Sequence, residues 1–218
     1  MLRLDDVAVR LGDTRIGPVS LSVEAGGVVG LTGPSGVGKS TVARIAAGVL
    51  APDSGRRLLD GVPTSRWGWA APAGDRRRVQ LVSQHPHRAV DPRHTLAEAL
   101  TLPARLHGFP AGDPLDWADR CHVERTLLTR RPAEVSGGQL QRVVLARALS
   151  VGPDVLIADE VTTAQDAITT LLIMDLLRET ARDGGAVLVI SHDLPLVARL
   201  AATQVELARP GSGRVESR

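Results

Sequence analysis

The octapeptide Gly33-Pro34-Ser35-Gly36-Val37-Gly38-Lys39-Ser40 fits the phosphate-binding pattern G-x-x-x-x-G-K-[S/T]. Its chemistry lies in the spacing. Three glycines let successive backbone N–H groups curl around phosphate oxygens, Lys39 reaches the outer phosphates, and the Ser40 hydroxyl, followed by Thr41, faces a magnesium ion. A second candidate is Asp159-Glu160, which closes the apolar run Val155-Leu156-Ile157-Ala158. Beside a phosphate loop such an aspartate can hold Mg²⁺ directly or through water, and the neighbouring glutamate can take a proton from an attacking water. Alone, the same pair fits a solvated turn equally well. The third candidate, Ser136-Gly137-Gly138-Gln139, opens a helix with unpaired N–H groups at its positive end, which makes an anion site. A second anion site in a chain that already has a phosphate cradle suggests a nucleotide shared between two copies.

These residues need strands and helices to present them. Val28-Val29-Gly30-Leu31-Thr32 is an apolar run of strand length, and Thr41 to Val49 carries Val42, Ile45, Ala46 and Val49 on one helical face. The loop therefore joins a buried strand to a helix N-terminus. Leu2 to Val29 reads as alternating strands and turns, an antiparallel edge leading into the phosphate-binding strand. Ala51 to Gly55 makes a turn, and Leu58 to Gly61 reads as a strand ending in a hairpin. The run Arg76-Arg77-Arg78 reads as a solvated helix end. Val79 to Ser83 is the next core strand and delivers Gln84 at its carboxyl end, where ligands of open α/β sheets gather.

From His85 to about Pro132 the pattern turns helical, with helices over Thr95 to Leu102 and Leu115 to Leu128. Another follows over Gln139 to Leu149. Two fully apolar strands, Val155 to Ala158 and Ala186 to Ile190, flank a helix over Ala167 to Arg182, which argues for a parallel sheet covered on both faces. Val205 and Leu207 alternate in a last edge strand, and Pro210 to Gly213 turns it. The expected fold is α/β: a P-loop NTPase core with a parallel sheet and an antiparallel β edge, formed by residues 1–84 and 151–218, with an inserted helical subdomain over 85–150.

The chain has 218 residues, 43% hydrophobic and 23% charged, an ordinary balance for one globular core. Net charge is only +2 and the three tryptophans are scattered, so the chain lacks the clustered basic face and stacking aromatics of a nucleic-acid binder. Lys39 is the sole lysine and stands where a compact point charge must meet phosphate. Cys121 has no partner for an intrachain disulfide, which points to a reducing compartment. The N-terminal stretch shows no apolar signal segment, and neither apolar strand is long enough to span a bilayer.

With these motifs in order, the chain resembles the ATP-binding subunits of ABC transporters: GPSGVGKST, Gln84, VSGGQLQR from Val135 to Arg142, LIADE from Leu156 to Glu160, and Ser191-His192-Asp193. The resemblance implies ATP and Mg²⁺ as cofactors, with Ser40, Gln84 and Asp159 at the metal. Gln84 would sense the γ-phosphate, His192 would contact it and help fix the attacking water, and Glu160 would be the general base. Ser136, Gly137, Gly138 and Gln139, with Asp166, would complete the site of a second ATPase subunit, identical or paralogous, in a head-to-tail dimer. Transmembrane permease subunits and a solute-binding protein are the implied partners, at the cytoplasmic face of the membrane. The segment from Gln84 to Thr95 is similar to that of the peptide and nickel importer branch, which implies a peptide, nickel or a related small solute.

Two departures stand out. The family's adenine-stacking aromatic is replaced by Leu11, which can pack on a base but cannot stack, so weaker and less base-selective nucleotide binding is expected. The segment after Glu160 carries Val161 and Gln165 where the family has a proline-containing loop. Two other functions compete with the transporter reading. One is a soluble accessory ATPase of a cytoplasmic enzyme complex, as in carbon-phosphorus bond cleavage; the other is a catalytically degenerate structural subunit, which the competent set Lys39, Ser40, Gln84, Asp159, Glu160 and His192 disfavours.

Overall fold

The computed structural model describes residues 1–107, 113–163 and 165–208. The turn expected over Pro210 to Gly213 lies outside them. The chain divides into two compact units. One comprises Met1–Leu81, Asp154–Glu160 and the chain from Arg178 onward; the other comprises Val82–Pro153 and Val161–Leu177. The stretch Val161–Leu177 thus joins the helical unit, whereas the sequence pattern assigns it to the core. Short range explains this: a helix shows its apolar face in sequence but not which neighbour covers that face.

The first unit holds two sheets. Strands β1 (Leu2–Leu11) and β2 (Thr14–Val23) pair antiparallel, from Leu2 opposite Val23 to Leu11 opposite Thr14. Strand β3 (Val28–Thr32) leads to the phosphate loop and helix α1 (Lys39–Ala46). Strands β4 (Ser54–Leu59) and β5 (Val62–Pro63) complete the antiparallel sheet in the order β2-β1-β4-β5. Val42, Ile45 and Ala46 are buried as expected, but Val49 lies beyond the helix and is exposed, because α1 ends at Ala46. The buried Arg57 fixes that end: its Nε donates to the Ala46 carbonyl at 2.7 Å and its Nη1 to the Thr64 hydroxyl at 2.6 Å. Burial lowers its pKa to about 10, which leaves the cation intact at the negative end of the helix.

Helix α2 (Ala73–Arg78) carries the arginine run, and its last residue is not the solvated end expected: Arg78 pairs with both Asp60 and Asp154. Strand β6 (Val79–Val82) then enters the second sheet. Helices α3 (Leu96–His107), α4 (Pro114–Arg120) and α5 (Gly137–Leu149) follow. The remaining elements are β7 (Val155–Asp159), α6 (Ala167–Arg182), β8 (Ala186–Ile190), α7 (Leu194–Leu200) and β9 (Thr203–Glu206). The second sheet runs β6-β7-β8-β3-β9, with β7 parallel to β8, β8 to β3 and β3 to β9. Every residue of β7 and β8 is buried, as the two unbroken apolar runs require. Leu4, Val19, Leu31, Ile45, Ile157 and Leu188 belong to one core shared by both sheets of this unit.

In the second unit the single helix expected over Leu115 to Leu128 is two elements, α4 and a 3₁₀ turn at Arg125–Thr129. The break falls at His122, whose φ of 53° is incompatible with a continuing helix. Cys121 is fully buried here. Helix α3 begins where Thr95 and Glu98 cap each other reciprocally: Glu98 accepts from the Thr95 backbone N–H at 2.7 Å, and Thr95 accepts from the Glu98 N–H at 3.3 Å.

Candidate nucleotide and catalytic site

Strand β3 ends inside the first unit's core, and the loop that follows has room for backbone and little else. Gly33 has φ 138°, and a Cβ there would lie 2.4 Å from the Leu207 carbonyl oxygen. Gly38, the N-cap of α1, has φ 108°, and a Cβ there would meet the Ile16 side chain at 2.7 Å. Ile16 on β2 therefore shapes the phosphate loop, a role its alternating pattern does not single out. Between these glycines Pro34, Ser35 and Gly36 are exposed, and Val37 is buried and anchors the arc. Lys39 opens α1 with its side chain folded inward. Its Nζ donates to the carbonyl oxygens of Gly33 at 2.7 Å and Pro34 at 3.0 Å, and stands 4.0 Å from Glu160 Oε1. The ammonium is thus enclosed by the loop that it serves.

Two carboxylates face that cation from the end of β7. Asp159 is 6% exposed, its Oδ1 is buried with no partner, and the Ser40 hydroxyl hydrogen-bonds the carboxylate. Burial raises the Asp159 pKa despite the opposing pull of the Ser40 bond. An orphaned carboxylate oxygen beside a serine hydroxyl is a hard-oxygen donor set, and it suits a magnesium ion that keeps most of its shell as water and phosphate oxygens. Among the described residues there is no cluster of three or more His, Cys, Asp or Glu that could cage a metal, so two donors are what this unit offers at that point.

Glu160 sits in the left-handed region, at φ 54°, with its N–H donating to the Ile190 carbonyl at 2.9 Å. Such a backbone costs about 1–3 kcal/mol for a residue with a side chain. Both Glu160 oxygens lie 2.9 Å from His192 Nδ1. An ionised carboxylate only accepts, so Nδ1 of His192 is the donor of this pair. His192 follows β8, where the Ser191 N–H reaches the Leu31 carbonyl at 3.3 Å, and Asp193 caps α7 through the Leu196 N–H at 3.0 Å. Adjacent parallel strands β7, β8 and β3 thus deliver Asp159, Glu160, His192 and the loop to one end of the sheet. This arrangement can bind a phosphate chain, neutralise it and activate water.

Leu11 ends β1 at the hairpin with β2 and is 45% exposed. Ile16, on β2, is the residue nearest to Gly38.

The other predicted residues lie in the second unit. Gln84 is exposed just beyond β6. One residue before it, the Ser83 carbonyl accepts from Nε2 of Gln141, a fully buried side chain on α5, at 3.4 Å. Ser136 and Gln139 cap α5 reciprocally: Ser136 Oγ accepts from the Gln139 N–H at 3.2 Å, and Gln139 Oε1 accepts from the Ser136 N–H at 2.9 Å. Gly137 and Gly138 are the first two helical positions, whose N–H groups have no carbonyl of their own helix to bond. Asp166 is exposed at the start of α6, where Oδ1 accepts from the Thr169 N–H at 2.8 Å; that bond comes first among those that lower its pKa.

Comparison with known proteins fits this geometry. The family model described as "ABC transporter" matches residues 16–163. The methionine import ATP-binding protein of Caulobacter vibrioides is 38% identical over 194 residues, 87% of this chain and 58% of its own length. The nickel import ATP-binding protein of Escherichia coli strain K12 is 39% identical over 187 residues, 83% of this chain and 70% of its own. The match thus spans less than two thirds of the methionine relative. Among solved structures, a dimeric ATP-binding cassette in a post-hydrolysis state bound to ADP and Pi has a TM-score of 0.84 at 30% identity, covering 99% of this chain and 98% of its own.

Proposed function

Because this chain belongs to the ABC transporter family as an ATP-binding cassette ATPase, we propose that it is the ATP-hydrolysing subunit of an importer. Its solute would be nickel, a peptide or a related small solute. The observation that carries the reading is Glu160, strained in its backbone and held between Lys39 and His192 at the mouth of the phosphate loop. Lys39 exchanges its loop carbonyls for the outer phosphates. Glu160 takes the proton of the attacking water, and His192, oriented by its Nδ1 bond to Glu160, contacts the γ-phosphate. Ser40 and Asp159 would hold Mg²⁺, which when bound neutralises charge on the phosphates. Gln84 is the proposed sensor of the γ-phosphate and metal.

In this reading Ser136, Gly137, Gly138, Gln139 and Asp166 act on the nucleotide of a second ATPase subunit, so that ATP closes a dimer and hydrolysis reopens it. No helix among the described residues is long and apolar enough to cross a membrane. The solute path is assigned to permease subunits, supplied by a solute-binding protein, with this chain bound peripherally at the cytoplasmic face.

The test is co-purification. The Glu160→Gln form, expressed in its own host and extracted in mild detergent with ATP and Mg²⁺, should bring down multi-span permeases, whose identity narrows the solute. Recovery of soluble enzymes without any permease would make the chain an accessory ATPase and overturn the importer reading.

A further inference from the structure

Behind the exposed signature residues, the second unit contains a buried polar junction that the catalytic scheme does not use. Thr169, on the first turn of α6, is 5% exposed. Its hydroxyl has one proton to give, and it donates to Asp166 Oδ2 at 2.7 Å. The same oxygen accepts from Nη1 of Arg142, on α5, at 3.2 Å. Arg142 is pinned in turn through Nε to the His122 carbonyl at 3.2 Å. The hydroxyl thus lies between a guanidinium and a carboxylate, with its donor and acceptor roles fixed by their charges.

The junction also touches the signature. A Cβ at Gly138 would lie 3.2 Å from both Cγ2 and Oγ1 of Thr169 and 2.8 Å from Gln165 Oε1. Gly138 is thus a site of close approach between the start of α5 and the start of α6, where an added side chain would displace the Gln165 amide and press on Thr169.

We propose that Arg142 and Thr169 are positioning residues that lock the start of α6, and with it Asp166, to the signature backbone at Gly138, so that the two present one rigid surface to the second subunit. Gln165 is the outer contact of the same lock. The inference rests on the reading that two subunits share nucleotide, and it adds which residues behind the signature set the strength of that sharing. The charge-assisted bonds that make the lock are of the stronger class. Its loss should therefore leave nucleotide binding at the phosphate loop alone and weaken ATP-driven association.

The experiment uses the full chain with Glu160→Gln, with and without Thr169→Val, which keeps the shape and removes the hydroxyl. Sedimentation in ATP and Mg²⁺ reads dimer affinity, and a fluorescent ATP analogue at protein concentrations below dimerisation reads the loop. Thr169→Val should weaken the dimer about tenfold with the analogue's affinity unchanged. Thr169→Ser, which restores the hydroxyl, should return the dimer to parental strength, and Arg142→Lys should not, because the bond to His122 needs the second guanidinium nitrogen. Equal dimer affinity in the parent and Thr169→Val overturns the proposal. So does equal loss in the Val and Ser variants, which would make the effect one of packing. If the Glu160→Gln parent does not dimerise, the shared-nucleotide reading falls and takes this inference with it.

Discussion

The phosphate loop with its carboxylates and the signature segment are both proposed anion sites, yet they are built in opposite ways. At the loop, charge is held in strained or incompletely satisfied form: Asp159 has an orphaned oxygen, beside the buried Lys39 and a Glu160 held in a left-handed backbone. At the signature, Ser136 and Gly137 are exposed and the polar side chains satisfy one another, Ser136 with Gln139 and Asp166 with Thr169. Stored imbalance marks the place where a ligand completes the protein. A self-satisfied exposed surface can only add to a ligand that is already held elsewhere. On the proposed function the first region is a binding and reaction site in its own right, and the second is half of an interface.

Removing the base breaks the comparison most sharply. Glu160→Gln keeps an acceptor for His192 Nδ1–H and loses the proton acceptor, so ATP hydrolysis should fall by about 10²–10⁴-fold while ATP binding persists. Phosphate release together with nucleotide titration measures both. Normal turnover in this variant would remove Glu160 from the role.

What the sequence makes legible follows the same division. The loop, β3, β7 and β8 are readable because a fully buried parallel strand has an unmistakable apolar run and the glycines lie at fixed intervals. The candidate residues Lys39, Ser40, Asp159, Glu160 and His192 fall together because those strands are neighbours in register. Less legible are contacts made across long sequence separations by ordinary residues. Ile16 under Gly38, Gln141 behind Ser83 and Thr169 beneath Gly138 carry no local pattern that distinguishes them from any other core position. The Leu115 to Leu128 stretch reads as one helix because apolar spacing is preserved across the break at His122. The T-x-x-E capping box at Thr95 and Glu98 is there to be read, and it sets the start of α3.

The phosphate end and the base end of the first unit's site differ as well. If Leu11, half-exposed and aliphatic, faces the base as the resemblance implies, ATP and GTP should bind this protein with similar strength. Leu11→Tyr should tighten ATP binding by about 1–3 kcal/mol if the ring stacks on the base. Calorimetry with both nucleotides checks this; a strong ATP preference in the parent would show that the base is read elsewhere. At the signature, Ser136→Ala removes one half of a reciprocal cap and should cost about 1 kcal/mol of stability. That corresponds to about 2–4 °C in melting midpoint for a chain of this size, with unaltered nucleotide binding by the monomer.

The smallest effect carries the opposite sign. Asp159 is a buried carboxylate whose pKa burial raises, so the nucleotide-free fold prefers it neutral and is penalised when it ionises. Stability from this group is fully present below the ordinary aspartate pKa and is lost as pH rises through the raised folded value. The amide introduced by Asp159→Asn stays neutral throughout. In metal-free, nucleotide-free buffer, this variant should therefore melt about 1–2 °C above the parent at pH 7, and the difference should vanish towards about pH 3. Adding ATP and Mg²⁺ should reverse the order, because the parent carboxylate then has the cation that its orphaned oxygen lacks and the amide does not. A variant less stable than the parent at pH 7 without ligand would mean that the Asp159 charge is already compensated in the empty site. The contrast between an unbalanced phosphate site and a balanced signature would then fail at its central residue.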